Sequence, residues 1–379
     1  MKFSRRALKL LSVFAFVIVL FPALTRAQHY TQTNLVSDLS SKAVHQDGNL
    51  VNSWGLTRSS GSPWWVANNG TGTSTLYDGA GDAFPPASPL VVTIPPPKNA
   101  PPGTMSTPTG TVFNFSSGFA VAANKPAIFL FVTEDGTISG WNPGVDFKNA
   151  VLMVDNSGKA VYKGATLAVH HGQLFLYVAN FKTGEVEIYD ASFHRAHGLE
   201  RVFNQDEGDD DDRDDHQGKS GFAPFNIQNI AGNLFVMYAK QKPDKHDEVD
   251  GPGLGFVRIL SPGGRFLAHL QHGNWFNAPW GVAQAPSDFG AFSHSLLVGN
   301  FGSGQIAAFN PVTFEFEGFL KNPDDSIIVI NGLWALQFGN GANAGPLSTL
   351  FFTAGLNDEA DGLFGTLTPV AAEQVGTNR

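Results

Sequence analysis

A strand-and-turn unit of about 55 residues recurs along this chain, and a unit that cannot bury its own faces must stack on its copies. Its clearest copy spans 278–311. It opens Ala278-Pro279-Trp280-Gly281-Val282-Ala283 and continues Ser295-Leu296-Leu297-Val298-Gly299-Asn300-Phe301-Gly302-Ser303-Gly304. Gln305-Ile306-Ala307-Ala308-Phe309-Asn310-Pro311 closes it. Three short apolar runs punctuated by Gly, Asn and Pro read as three β-strands with tight connections.

Equivalent opening positions fall near Trp54, Thr109, Ala165, Phe225, Trp280 and Trp334, at intervals of 55, 56, 60, 55 and 54 residues. The second half of the unit agrees in three copies. Strands end in Asn68, Asn180 and Asn300, and Gly72, Gly184 and Gly304 follow four residues later. These six are assigned to turn structure, because Asn bonds turn backbone and tolerates the left-handed region, and Gly supplies a positive φ. An outer strand is expected after each third run, at 314–320 and 266–270 for example. The run 30–36 has that character but precedes the first unit, whereas the sixth unit lacks an outer strand. The fold class is therefore all-β, a six-bladed β-propeller over 28–370 whose N-terminal strand completes the last blade and removes open edges.

Segment 1–27 is set apart as a signal peptide. Lys2, Arg5, Arg6 and Lys9 precede the apolar stretch Leu10–Leu24, and small residues lead to a cleavage point after Ala27. Ser4-Arg5-Arg6 leaves the export route, general or twin-arginine, open. A periplasmic or extracellular location follows. No other stretch is long and apolar enough to span a bilayer, and 371–379 reads as a tail. With 0 Cys, disulfides and thiolate chemistry are excluded. The formal net charge of −9 disfavours nucleic acid and anionic lipid as partners. Three stretches interrupt the repeat: the proline-rich 85–108, the acidic 206–216, and the polar 241–252. All three are expected as loops on the rim.

The units resemble NHL-type propeller blades, with Asn68, Asn180 and Asn300 standing where that motif usually has Asp. The whole chain resembles a family of secreted bacterial six-bladed propellers with such repeats. The resemblance implies the fold and leaves the activity open.

No catalytic motif is present: His-Glu-x-x-His and Gly-x-Ser-x-Gly are both absent. No catalytic residue and no metal ligand is assigned. The pairs His170-His171 and His194-x-x-His197 lack a carboxylate spaced to complete a zinc site. The consecutive Asp residues of 206–216 lack the alternation and closing Glu of a calcium loop, so calcium stands only as an alternative to no cofactor. The binding candidates lie on the face made by strand-opening loops and strand-end turns: Asn52, Glu134, Asp135, Asn277, Asn331, Asn357 and Asp358. Phe181 and Phe301 follow the turn asparagines, and exposed aromatics there would suit a protein or glycan partner. The expected function is a monomeric binding or interaction module. The alternatives are a calcium-dependent lactonase-type hydrolase at the channel mouth and a structural envelope or matrix component.

Overall fold

The computed structural model describes residues 29–204 and 221–370; the leader 1–27, the acidic run 206–216 and the tail 371–379 lie outside them. The chain forms a six-bladed β-propeller. Blade one comprises Ser53–Thr57, Trp64–Asn68, Thr73–Tyr77 and Val91–Thr93; blade two comprises Pro108–Phe113, Phe129–Thr133, Thr137–Trp141 and Val151–Asp155. Among the described residues blade three has Tyr162–His170, Gln173–Asn180 and Glu185–Asp190, and blade four has Phe222–Ile230, Asn233–Lys240, Gly255–Leu260 and Phe266–His269. Blade five comprises Pro279–Gln284, Leu296–Asn300, Ile306–Phe309 and Phe316–Phe319.

Blade six joins Leu333–Phe338, Leu350–Gly355 and Asp361–Pro369 to the N-terminal Tyr30–Ser37. The closing strand runs antiparallel to Asp361–Pro369, from Tyr30 opposite Pro369 to Ser37 opposite Leu363. The closing strand covers the edge that Asp361–Pro369 would otherwise present.

The second strands of blades one, two, five and six, Trp64–Asn68, Phe129–Thr133, Leu296–Asn300 and Leu350–Gly355, are buried along their whole length because blades cover both faces. This explains their unbroken apolar runs. One turn recurs at their ends. The N–H of Gly72, Gly184 and Gly304 donates to the carbonyl of Asn68, Asn180 and Asn300 at 3.1, 3.1 and 2.8 Å, with φ of 66°, 80° and 67°.

One expected rim loop and one expected outer strand depart from the reading of the repeat. The proline-rich stretch 85–108 contains the outer strand of blade one, with Leu90, Val92 and Ile94 buried. Among the described residues blade three has no fourth strand, and the helix His197–Phe203 follows its third strand. Asn204 then imitates a strand partner: its Oδ1 accepts from the Val186 N–H and its Nδ2 donates to the Val186 carbonyl, both at 2.9 Å.

The inner strands share an irregularity that builds the channel. Pairing with the second strand slips between Ser53 and Leu56, Tyr162 and Gly164, Pro224 and Asn226, Pro279 and Gly281, and Leu333 and Leu336. In blade two it slips between Phe131, opposite Thr111, and Thr133, opposite Pro108. A bulge of this kind re-aims the side chain left out of the ladder. The residues at these slips are Trp54, Thr109, Lys163, Phe225, Trp280 and Trp334, and all six are buried. The position in blade three is Lys163, two residues before the Ala165 read from the repeat.

Candidate functional site

Four of the six bulge residues are large aromatics, and they close the channel. Trp334 stacks on Trp54 with centroids 3.4 Å apart and receives the edge of Trp280 at 5.8 Å and Phe225 at 5.8 Å. The Lys163 ammonium lies in this plug, 5.0 Å from the Trp54 ring centroid, 5.8 Å from Phe181 and 6.0 Å from Phe225. The indole N–H of Trp280 donates to the Lys163 carbonyl at 3.0 Å, which fixes the backbone from which the side chain rises.

Above the plug the mouth is acidic. Lys163 Nζ donates to Glu134 Oε1 at 2.5 Å, and Asp247 Oδ1 lies 3.8 Å away. The other oxygen of Glu134 accepts from Asn69 Nδ2 at 2.8 Å. Asn52 Nδ2 donates to Glu359 Oε2 at 2.7 Å, while its Oδ1 accepts from the indoles of Trp54 and Trp334 at 3.0 and 3.3 Å. One asparagine thus ties the acidic mouth to the plug. A Cβ on Gly355 would stand 2.3 Å from that Asn52 oxygen, so only glycine leaves room for the arrangement.

Carboxylates reach the mouth from three blades: Glu134 from two, Asp247, Glu248 and Asp250 from four, and Glu359 from six. Those of blade four come from the polar stretch 241–252, which therefore covers the channel rather than standing on the rim. Asn277 holds it there, its Oδ1 accepting from the Gly251 N–H at 2.8 Å. Glu359 arrives at the end of three consecutive residues with positive φ: Asn357 and Asp358 at 53° and Glu359 at 66°. Such a left-handed run is costly for non-glycine residues and persists where surrounding structure over-determines it.

The electrostatics follow from burial. Burial alone would lower the Lys163 pKa, but Glu134, Glu248 and Asp247 outweigh it and hold the ammonium above the ordinary lysine value. Burial raises Glu248 to about 7; Lys163 opposes the rise, and Asp250 and Glu359 add to it. Burial likewise raises Glu359, against the Asn52 hydrogen bond. Asp247 goes the other way, to about 2, chiefly through its 2.8 Å hydrogen bond with His246.

Glu134, His246 and Asp247 each offer a ligand atom, all within 4.8 Å of one another. Taken alone they do not complete a calcium site. Three such groups fall short of the six to eight oxygens that calcium takes. The Lys163 ammonium already holds the cation position, and a divalent ion about 4 Å away would meet a repulsion of roughly 8 kcal/mol at an effective dielectric of about 20.

The expected binding residues divide. Asn52, Glu134 and Asn277 belong to the mouth. Asp135 does not: its Oδ2 accepts from the Thr107 N–H at 2.8 Å and its hydroxyl at 3.0 Å. Asn331, Asn357 and Asp358 are exposed; Asn357 Nδ2 donates to Asp361 Oδ2 at 2.7 Å. The aromatic face is corrected. Phe181 is fully buried against Phe225, and Phe301 stacks on Trp334 at 4.0 Å, so the residue after the turn asparagine packs inward onto the plug. Asn68 Nδ2 donates to the hydroxyls of Thr73 and Thr75, and Asn180 Oδ1 and Asn300 Oδ1 accept from the N–H of Val161 and Asn277.

Sequence reading missed Lys163, His246, Asp247, Glu248 and Glu359. The one usable signal was Tyr162-Lys163-Gly164, a charge at the x-Gly step where Trp54-Gly55 and Trp280-Gly281 carry tryptophan.

No helix among the described residues is long and apolar enough to cross a membrane. No family model matches the chain. Among solved structures, a streptogramin B lyase overlaps 90% of this chain and 97% of its own, with TM-score 0.49 and 12% identity. A glucose dehydrogenase overlaps 90% and 100%, with TM-score 0.49 and 11% identity. The sequence relatives found are proteins of a virus, whereas the resemblance implied bacterial ones. Protein L690 of Acanthamoeba polyphaga mimivirus is 29% identical over 340 residues, 88% of this chain and 84% of that protein. Protein R648 of the same virus is 30% identical over 340 residues, 88% of this chain and 78% of its own length. The chain belongs to the family of mimivirus protein R648.

Proposed function

We propose that this propeller is a binding module whose ligand presents a compact primary ammonium group to the acidic channel mouth. The observation that carries the reading is the convergence of Glu134, Asp247, Glu248, Asp250 and Glu359, from three blades, against Lys163, Lys242 and His246 among the described residues. Asp247 is about half exposed and stays ionised, so an incoming cation meets a fixed negative charge there. The plug supplies a dry floor on which electrostatic attraction is less screened than in water. A lysine side chain of a protein partner and an amino sugar of a glycan both carry the group. The basic-then-apolar leader supports an exported location for this binding.

Thermal unfolding with added ligand tests the proposal, because a compound that binds only the native state raises its stability. D-glucosamine is expected to raise Tm and N-acetylglucosamine to leave it unchanged. Equal shifts, or none, would remove the ammonium from the account.

A second reading rests on Glu248. A buried carboxyl with a pKa of about 7 beside a buried lysine has the character of a general acid–base pair. It points to metal-independent hydrolysis rather than a calcium lactonase. Turnover of a lactone panel that survives in Glu248→Gln would reject this role.

A further inference from the structure

Below the plug the channel opens into a second compartment, a cavity of about 260 Å³ lined by inner-strand residues of all six blades. Trp280 forms part of its roof, so the aromatic layer separates it from the acidic mouth. Its chemistry is the reverse of the mouth's. Among the described residues Arg58 is the one ionisable side chain of its lining, and no carboxylate lines it.

Arg58 is half-buried. Its Nε and Nη2 donate to the carbonyls of Phe338 and Gly339 at 2.8 and 2.9 Å, and its guanidinium lies 5.6 Å from the Trp64 ring centroid. Both hydrogen-bond partners are neutral, so the positive charge is not balanced by an ion pair among the described residues. Two further polar atoms in the lining are buried without a hydrogen-bond partner: Thr111 Oγ1 and Gln337 Oε1. Buried polar atoms in native proteins are nearly always paired, and these two have almost no accessible surface, so a ligand completes their bonds only when the two side chains turn toward the cavity. Gln337 Oε1 can only accept and calls for a donor, whereas the Thr111 hydroxyl can serve either way.

We propose that this cavity binds a small polyhydroxylated carboxylate, a sugar acid in size and chemistry. The carboxylate faces Arg58, and ligand hydroxyls satisfy Gln337 Oε1 and Thr111 Oγ1. The volume falls just below the ~300–1,000 Å³ of drug-sized pockets, which admits one sugar unit and not a chain. Water alone can fill a polar space of this kind, and it is the competing occupant.

Sodium gluconate is the probe, titrated calorimetrically into the full chain, with D-glucose and sodium chloride as controls. The expected result is saturable gluconate binding with no comparable glucose binding. The affinity falls about ten-fold or more in Arg58→Gln, since a hydrogen bond to a charged group is lost. Thr111→Val weakens binding several-fold without touching Arg58 or its carbonyl partners, and keeps the test decisive if Arg58→Gln folds poorly. Asp247→Asn at the opposite mouth leaves gluconate binding unchanged, which separates this site from the amine site. Absence of saturable binding, equal binding of glucose, or equal affinity in the wild type and Thr111→Val would each overturn the proposal.

Discussion

Lys163 Nζ and Glu134 Oε1 meet at 2.5 Å beside the aromatic plug, the lysine rising from the inner strand of blade three and the glutamate from a turn of blade two. Neither is placed by its own repeat alone. The bulge aims Lys163 at the plug, and Asn69 from blade one orients Glu134 through the carboxylate's other oxygen.

Removing one partner of such a pair leaves a buried charge uncompensated. Lys163→Met is expected to destabilise the protein by about 3–5 kcal/mol, and the double variant Lys163→Met with Glu134→Gln to recover a large part of that loss. Chemical denaturation of the single and double variants measures the coupling. Strictly additive losses would mean that the two residues do not stabilise each other.

Glu248 makes stability fall as pH rises. Its folded pKa of about 7 exceeds the ordinary value of 4.5, so the native state binds the proton more tightly than the unfolded chain. The protonated form prevails in both states below about pH 4.5, and stability declines from there to about pH 7, by an amount on the order of 3 kcal/mol. Asp247 acts oppositely, but its stabilisation is lost only as pH falls from 3.8 towards 2, outside that window. Glu248→Gln should flatten the decline. A wild-type profile that is already flat between pH 5 and 8 would contradict the assigned shift.

The plug predicts a stability phenotype where exposed aromatics would have given a binding one. Trp334 is fully buried between Trp54 and Phe301. Trp334→Ala is expected to cost about 3–5 kcal/mol, and Phe181→Ala a comparable amount, through lost contacts and the cavity left behind. Losses below about 0.5 kcal/mol, the range of ordinary surface substitutions, would place these rings at the surface.

Ring closure is equally testable. Tyr30–Ser37 pairs with Asp361–Pro369, and Ser37 Oγ donates to the Gly362 carbonyl at 2.7 Å. A chain beginning after Ser37 exposes the edge of blade six and should elute as aggregates in size-exclusion chromatography. A monomer with unchanged Tm would show that the clasp is dispensable.

The fold was legible because its turns are local: an Asn followed four residues later by Gly announces the same backbone three times, and 30–36 fitted only the sixth blade. The site was legible in part. Asn52, Glu134 and Asn277 sit at strand openings and strand-end turns, whose face the repeat identifies. Lys163 was hidden because matching apolar residues drew the register to Ala165, while the bulge that turns its side chain inward leaves no mark in composition. Asp247 and Glu248 lie in an insertion without a counterpart in other blades, so periodicity could not say where it folds. Phe301 looked like a ligand-facing ring at a turn tip; Trp334, 33 residues away in sequence, is what it packs against.

The most direct test of the acidic mouth as an ammonium site is calorimetric titration of D-glucosamine into the wild type and into Asp247→Asn with Glu359→Gln, at a pH below the amine's pKa. Saturable binding by the wild type, weakened about ten-fold or more in the double variant, is the predicted result. Equal affinity in both proteins, or no binding by the wild type, would contradict it.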